Sequence, residues 1–387
     1  MFAQNSAILQ LKYKKISLRR RLGLEIQRLV QKEIVEEHPL KQLFWECTLR
    51  CNLSCRHCGS DCKTVSGHPD MPMEDFLRVL DNIKSHTDSR LLRESDKTLS
   101  MSLPTQTADP RQVFVIITGG EPLMRDDLET CCQEIYARGF PWGLVTNAQA
   151  LTPERFHRLV NAGMHAMTVS LDGLEDSHTW MRGKKDSFRH VVDAIHMLRD
   201  EPRVVWDIVT CVTERNYNEL DAMRDFLLSE GVTTWRLLDV FPVGRAATSP
   251  GVLLTDEHFQ GMLDFIRRNR KEGTIDVEYG CEGFVGEYEL DVRPYAFFCK
   301  AGISVASVLV DGSISACSSI RSDYHQGNIY TDDFMDVWER RFDVYRNREW
   351  MRRDDCAECN MFRYCNGSGM HLRDGDGKLL QCHLRRI

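Results

Sequence analysis

From residue 43 onward, short apolar runs alternate with segments whose apolar positions recur at helical spacing. The runs at 43–49, 113–118, 143–147, 166–171, 204–211 and 234–240 are four to eight residues long, rich in Val, Ile and Leu, and read as strands. Between them, 73–84, 126–138, 153–162, 187–199 and 217–230 read as amphipathic helices. Six such alternations predict an α/β fold around a parallel sheet, and parallel strands of this kind carry their chemistry on the loops at their C-terminal ends. Residues 1–42 read as an amphipathic helical arm, basic and then acidic, ending near His38-Pro39. It is too short to be an independent peptide-binding domain. Residues 85–112, rich in Ser, Thr, Asp and Arg, read as a polar surface insertion in the first crossover, with a substrate lid as the minority reading. After 245 a bridge (246–298) holds a helix over 256–271, and 308–314 reads as a hairpin turning at Asp311-Gly312.

The chain has 387 residues, enough for two or three domains. Fifty basic against fifty-seven acidic residues leave a net charge of −7, which offers no general attraction for nucleic acid or an anionic membrane. Lys12, Lys14, Lys15, Arg19, Arg20 and Arg21 make one basic patch on the arm, read as a solvated face rather than a docking site for an acidic partner. With no signal peptide and no membrane-length apolar run, a cytoplasmic protein is expected. Fifteen cysteines then argue for metal ligation rather than disulfides, and for oxygen sensitivity.

The cysteines are not scattered. Cys51, Cys55 and Cys58 follow the first strand with x3 and x2 gaps, and Cys47 and Cys62 flank this trio off its spacing. Iron–sulfur clusters are normally held by four thiolates. Three leave one iron open to a small molecule; the competing reading is a zinc knuckle at Cys55-x2-Cys58. Gly119-Gly120-Glu121-Pro122 follows the second strand, Thr146-Asn147 the third, and Ser170-Leu171-Asp172-Gly173 the fourth, with Arg182-Gly183 beyond. The glycines allow close backbone approach to a ligand, and Glu121 is an acceptor for an ammonium group. Asn147 and the Asp172-Gly173 pair read equally as turn formers. Further on, Cys299-x12-Gly312-x4-Cys317 is followed by Cys356-x2-Cys359-x5-Cys365 and then Cys382. Cys131, Cys132 and Cys211, lying in helix and strand patterns, read as inert buried thiols.

The x3, x2 trio with the three strand-end motifs resembles the radical S-adenosylmethionine (SAM) superfamily, and the later cysteines resemble its C-terminal SPASM extension. That resemblance implies a partial (β/α)6 barrel over 43–245 and an auxiliary-cluster domain over 299–387. It implies a 4Fe-4S cluster on Cys51, Cys55 and Cys58 whose open iron binds SAM for cleavage to a 5′-deoxyadenosyl radical. Gly119, Gly120, Glu121 and Pro122 would hold the SAM amino group. Asn147, Ser170 and Asp172 would make further SAM contacts, with Arg182 as a carboxylate partner, and 242–245 would pack against adenine. Cys356, Cys359, Cys365 and Cys382 would hold one auxiliary 4Fe-4S cluster. A second is left short, because the family's Cys-x3-Cys step from Cys365 arrives at Gly369. Cys299 and Cys317 then need Cys281 with an open iron or a non-cysteine ligand, or the second cluster is absent.

The resemblance further implies oxidation or crosslinking of a ribosomally made peptide carrying a leader, with an external one-electron donor of flavodoxin or ferredoxin type. Asp291, in the acidic run 287–291, is the candidate catalytic base, against the reading of that run as solvated acids. The alternatives are the same chemistry on a sulfatase or a small-molecule precursor, and a non-catalytic iron–sulfur or zinc scaffold protein.

Overall fold

The computed structural model describes residues 16–95, 113–280 and 282–387, with the backbone alone for 88–95. Its centre is one sheet of ten strands in the order β10-β9-β8-β1-β2-β3-β4-β5-β6-β7. The strands are β1 (Gln42–Thr48), β2 (Phe114–Gly119), β3 (Trp142–Thr146), β4 (Met164–Ser170), β5 (Val205–Val212), β6 (Thr234–Asp239), β7 (Asp276–Tyr279), β8 (Val305–Val308), β9 (Ser313–Ser315) and β10 (Gly327–Asn328). β1 to β7 are parallel throughout, so their C-terminal ends lie on one side. This is the partial-barrel α/β sheet expected, extended by β7 from the bridge.

Alternate strand positions explain the layering. Leu43, Trp45 and Cys47 of β1, like Val115 and Ile117 of β2 and Met167 and Val169 of β4, are fully or almost fully buried. The intervening positions are for the most part half-buried, which leaves the second face of the sheet partly open. Helices α1 (Leu18–Glu37), α2 (Met73–Ser95), α3 (Leu128–Ala137), α4 (Pro153–Asn161), α5 (Glu175–Arg182), α6 (Ser187–Arg199), α7 (Leu220–Ser229) and α8 (Asp256–Glu272) follow in chain order. Trp45 stacks on Phe76 of α2 with ring centroids 4.4 Å apart. Arg125 lies over the other side of the anchor, 5.1 Å from the Trp45 ring, and its Nη1 donates to the carbonyls of Cys47 and Met71, both at 2.8 Å. That guanidinium ties the segment after β2 to the end of β1.

Three expectations change. The helix expected to stop at 84 runs to Ser95, so the proposed insertion begins as helix. Residues 96–112 and 1–15, with Lys12, Lys14 and Lys15, lie outside the described residues, as does Cys281. Second, the cysteine-rich segment does not stand apart from the sheet: β8 pairs in parallel with β1, Gln42 opposite Val305 and Trp45 opposite Val308. The hairpin β8–β9 turns at Asp311-Gly312 as expected, and Arg321 beyond it reaches back to the buried Glu46 of β1 at 2.7 Å. Third, α1 does not bury an apolar stripe. Leu24 is buried, but Leu18, Leu22, Ile26 and Leu29 are exposed, and polar contacts hold the helix: Ser17 to Glu287, Arg20 to Asp291, Glu25 to Tyr364 and Arg363. No helix among the described residues is long and apolar enough to cross a membrane.

Trp45 is the largest wholly buried side chain at the β1–α2 contact, so Trp45→Ala is expected to cost about 3–5 kcal/mol. Chemical denaturation of the metal-free protein, followed by far-ultraviolet circular dichroism, measures this.

Candidate functional site

The loop leaving β1 doubles back on itself. Cys51 N–H donates to the Lys63 carbonyl at 2.8 Å, Cys58 N–H to the Cys55 carbonyl at 3.3 Å. Cys51, Cys55 and Cys58 thereby gather in one small cluster with Leu53 and Cys62. The loop is gripped from three sides. From β2, Gly119 and Gly120 run so close that an added Cβ would sit 2.1 Å from the Thr48 carbonyl and 2.3 Å from that of Arg50. From α5, the Met181 carbonyl accepts from Arg56 N–H at 2.9 Å. From the end of β6, Arg245 donates to the carbonyls of Cys55 (2.7 Å) and Cys62 (3.0 Å) and pairs with Asp61.

On spacing alone Cys62 falls outside the trio, yet folding brings it in. Its S–H bonds to the Cys58 sulfur, and this contact, with backbone donors and Arg245, holds the Cys58 thiol below its ordinary range against the effect of burial. Burial pushes Cys51 up to about 12. It raises Cys55 as well, with Arg182 opposing. Cys47 is turned away, into the core between Arg125 and Cys131.

The strand-end residues meet the same loop. Asn147 Nδ2 donates to Asn52 Oδ1 at 2.9 Å and lies 3.9 Å from Cys51 Sγ. Arg182, at the end of α5, lies 3.5 Å from Cys55 Sγ and pairs with Asp172 at 2.8 Å, both side chains being buried. Burial alone would raise the Asp172 carboxyl, but Arg182, His57 and His178 outweigh it and hold it below its usual range. His57 Nε2 is 3.7 Å from Asp172, and burial lowers the pKa of that imidazole. Ser170 ends β4 half-buried, its hydroxyl unbonded among the described residues.

Two of the expected acids already have partners within the protein. Glu121 accepts three hydrogen bonds. Its Oε1 accepts from Leu123 N–H (3.1 Å) and Thr146 Oγ1 (2.7 Å), its Oε2 from Asn147 N–H (2.7 Å), and it is buried. Its work is to join the ends of β2 and β3 and to start the short 3-10 helix at Pro122. The Asp291 carboxylate pairs with Arg20 of α1 at 2.7 Å, both residues half-buried, and its neighbours Glu287 and Glu289 are likewise engaged, by Ser17 and Arg293. Cys131 and Cys132 are core thiols as expected. Cys211 is not: its sulfur lies within 4.8 Å of His57 and Asp172 ligand atoms, on the site wall. The Arg245 clamp and the role of His57 left no pattern in the sequence, because both act across strands remote in the chain.

The C-terminal thiols form two groups. Cys356, Cys359, Cys365 and Cys382 line one small cavity with Phe284, Phe362 and Leu384. Arg373 Nη2 is 3.5 Å from Cys356 Sγ, and burial pushes Cys382 up to about 11. Cys382 is held there because its neighbours Gln381 and His383 both reach Asp239 at the end of β6. Cys299 and Cys317 flank the β8–β9 hairpin. Cys299 accepts from Arg348, and these contacts lower its pKa against burial.

The first site fits an iron–sulfur cluster carrying a polar ligand. Its donors are soft sulfurs, its glycines leave a bare backbone beside them, and His57 Nδ1 and Arg182 Nε are buried there without a hydrogen-bond partner. Residues 105–227 match the radical SAM superfamily model and 299–360 the SPASM model, an iron–sulfur cluster-binding domain. An AdoMet-dependent heme synthase of Nitratidesulfovibrio vulgaris is 23% identical over 84% of this chain and 86% of its own. The mycofactocin maturase MftC of Mycolicibacterium smegmatis is 28% identical over 85% and 77%. The crystal structure of Streptococcus suis SuiB bound to S-adenosylmethionine shares the fold, with a TM-score of 0.62 at 15% identity over 86% of this chain and 74% of that one. Residues 105–227 are therefore a radical SAM domain and residues 299–360 a SPASM domain.

Proposed function

We propose that this radical SAM/SPASM enzyme oxidises or crosslinks a ribosomally made peptide, with Cys51, Cys55 and Cys58 as the ligands of its SAM-binding cluster. One observation carries the reading: the three thiols cluster on the loop that the Gly119-Gly120 turn packs against at the strand C-termini, in a sheet that also carries the auxiliary-cysteine hairpin. When bound, a 4Fe-4S cluster with SAM at its open iron supplies one-electron cleavage to a 5′-deoxyadenosyl radical. The residues around it orient and shield that chemistry. With Glu121 already accepting three hydrogen bonds, the backbone carbonyls of the glycine turn would help it hold the SAM ammonium. Ser170 would offer its hydroxyl to the ribose. Arg182, kept charged by Asp172, donates toward the Cys55 sulfur and so stabilises its thiolate.

The peptide reading is supported by the fold shared with SuiB, whose structure bound to precursor peptide SuiA has been solved. A second reading, a tetrapyrrole substrate, is favoured by similarity to relatives named AdoMet-dependent heme synthase and Fe-coproporphyrin III synthase over more than four fifths of this chain. In either case a flavodoxin- or ferredoxin-type donor would feed the first electron, and the SPASM thiols Cys356, Cys359, Cys365 and Cys382 would hold an auxiliary cluster as electron acceptor or relay.

Reconstituted protein given SAM and dithionite is expected to release 5′-deoxyadenosine, and Cys51→Ala to abolish release; equal release from both would refute the enzymatic reading. With candidate precursor peptide and Fe-coproporphyrin III supplied in parallel, mass spectrometry should find hydrogen loss in the peptide, whereas decarboxylation of the porphyrin would select the second reading. Gly120→Ala should lower SAM-cluster iron severalfold, because its Cβ would displace the Arg50 carbonyl. Asp291→Asn should leave 5′-deoxyadenosine release within about twofold, since its carboxylate is engaged by Arg20 of the helical arm.

A further inference from the structure

The SPASM cysteines leave one position short of a ligand, and the structure places an imidazole there. The family spacing calls for a thiol at residue 369, which here is glycine. A Cβ built on Gly369 would lie 2.6 Å from Cε1 and 2.9 Å from Nδ1 of His371. The ring of His371 therefore occupies the space a side chain at 369 would need.

Its surroundings are those of a ligand. The Cys299 sulfur accepts a hydrogen bond from Met370 N–H, between Gly369 and His371, and its charge acts on the imidazole. Cys317 is close enough to Cys299 for each sulfur to act electrostatically on the other. The His371 side chain is only 8% exposed, and its Nε2 is 3.1 Å from Glu282 Oε2. Nδ1 has no hydrogen-bond partner among the described residues. A histidine whose far nitrogen is held by a carboxylate, leaving the near one free, is the usual arrangement of a metal-bound imidazole.

We propose that His371, through Nδ1, is a ligand of an auxiliary iron–sulfur cluster at Cys299 and Cys317, in place of the thiol missing at 369, and that Glu282 orients it. This rests on the SPASM part of the proposed function but not on the identity of the substrate. A neutral imidazole in place of a thiolate leaves a cluster less negative and raises its reduction potential, as histidine ligation does in Rieske centres. Such a cluster is the better acceptor for an electron taken from substrate.

The test uses the full chain with Cys51, Cys55 and Cys58 all changed to Ala, so that the C-terminal clusters alone contribute. After reconstitution and reduction, pulsed electron paramagnetic resonance is expected to show nitrogen-14 coupling of a directly bound imidazole. His371→Ala should abolish that coupling and lose about four iron atoms per chain. His371→Cys should restore the iron without the nitrogen signal and lower the midpoint potential, which a merely structural role for the ring would not do. Absence of nitrogen coupling in the parent, or its survival in His371→Ala, overturns the ligation. If Cys299→Ala changes neither iron nor spectrum, no cluster sits there and the proposal fails. The 5′-deoxyadenosine assay on the intact chain reports on the other site, so its outcome stays separate.

Discussion

The structure depends on backbones passing closer than any side chain permits. Gly119 and Gly120 run against the carbonyls of Thr48 and Arg50, and a Cβ on Gly244 would meet the carbonyls of Cys58 and Gly59 at 2.5 Å. These contacts press the cysteine loop onto the ends of β2 and β6, and hydrogen bonds from Gly120 and Glu121 to Thr48 and Arg50 and from Arg245 to Cys58 fix it there. A methyl group at 120 would lift the loop and scatter the thiols. The strength of the site is therefore steric before it is electrostatic.

Charge enters next, and in the same way at each thiol group. Arg182 stands at Cys55, Arg373 at Cys356 and Arg348 at Cys299, all three guanidiniums being buried. A thiolate in a low-dielectric interior needs a compensating cation, and arginine keeps its charge when buried where lysine readily loses it. The partners differ. Arg182 is balanced by Asp172, whereas Arg348 and Arg373 are anchored by carbonyls of Tyr345, Cys299, Gly367 and Gly377. Removing Arg182 would strand a buried carboxylate as well as a thiolate.

The joining of the two cysteine regions is equally physical. β8 adds to the free edge of β1, the strand that delivers the first cysteine loop, and Arg321 pairs with buried Glu46 across the seam. Towards the far edge, Asp239 of β6, the strand next to β7, holds Gln381, His383 and Arg386, drawing the end of the chain and Cys382 back to the sheet. Both groups of thiols are thus tied to one sheet.

The sequence by itself determined the alternation of strands and helices, because buried parallel strands need unbroken apolar runs, and it marked the thiol spacing and the glycine turn, because both are local. It gave no sign of the partners of Glu121 and Asp291, since an acid's contacts depend on what folds against it: Asn147 and Thr146 in one case, α1 in the other. It set Cys62 and Cys211 aside, which folding brings to the site. Nor did it pick out His371, two residues past the expected position, since a ring that turns back into the space of a missing side chain leaves no spacing to read. Those assignments belong to the tertiary structure, where contacts between distant segments decide which polar atoms are spent and which remain free.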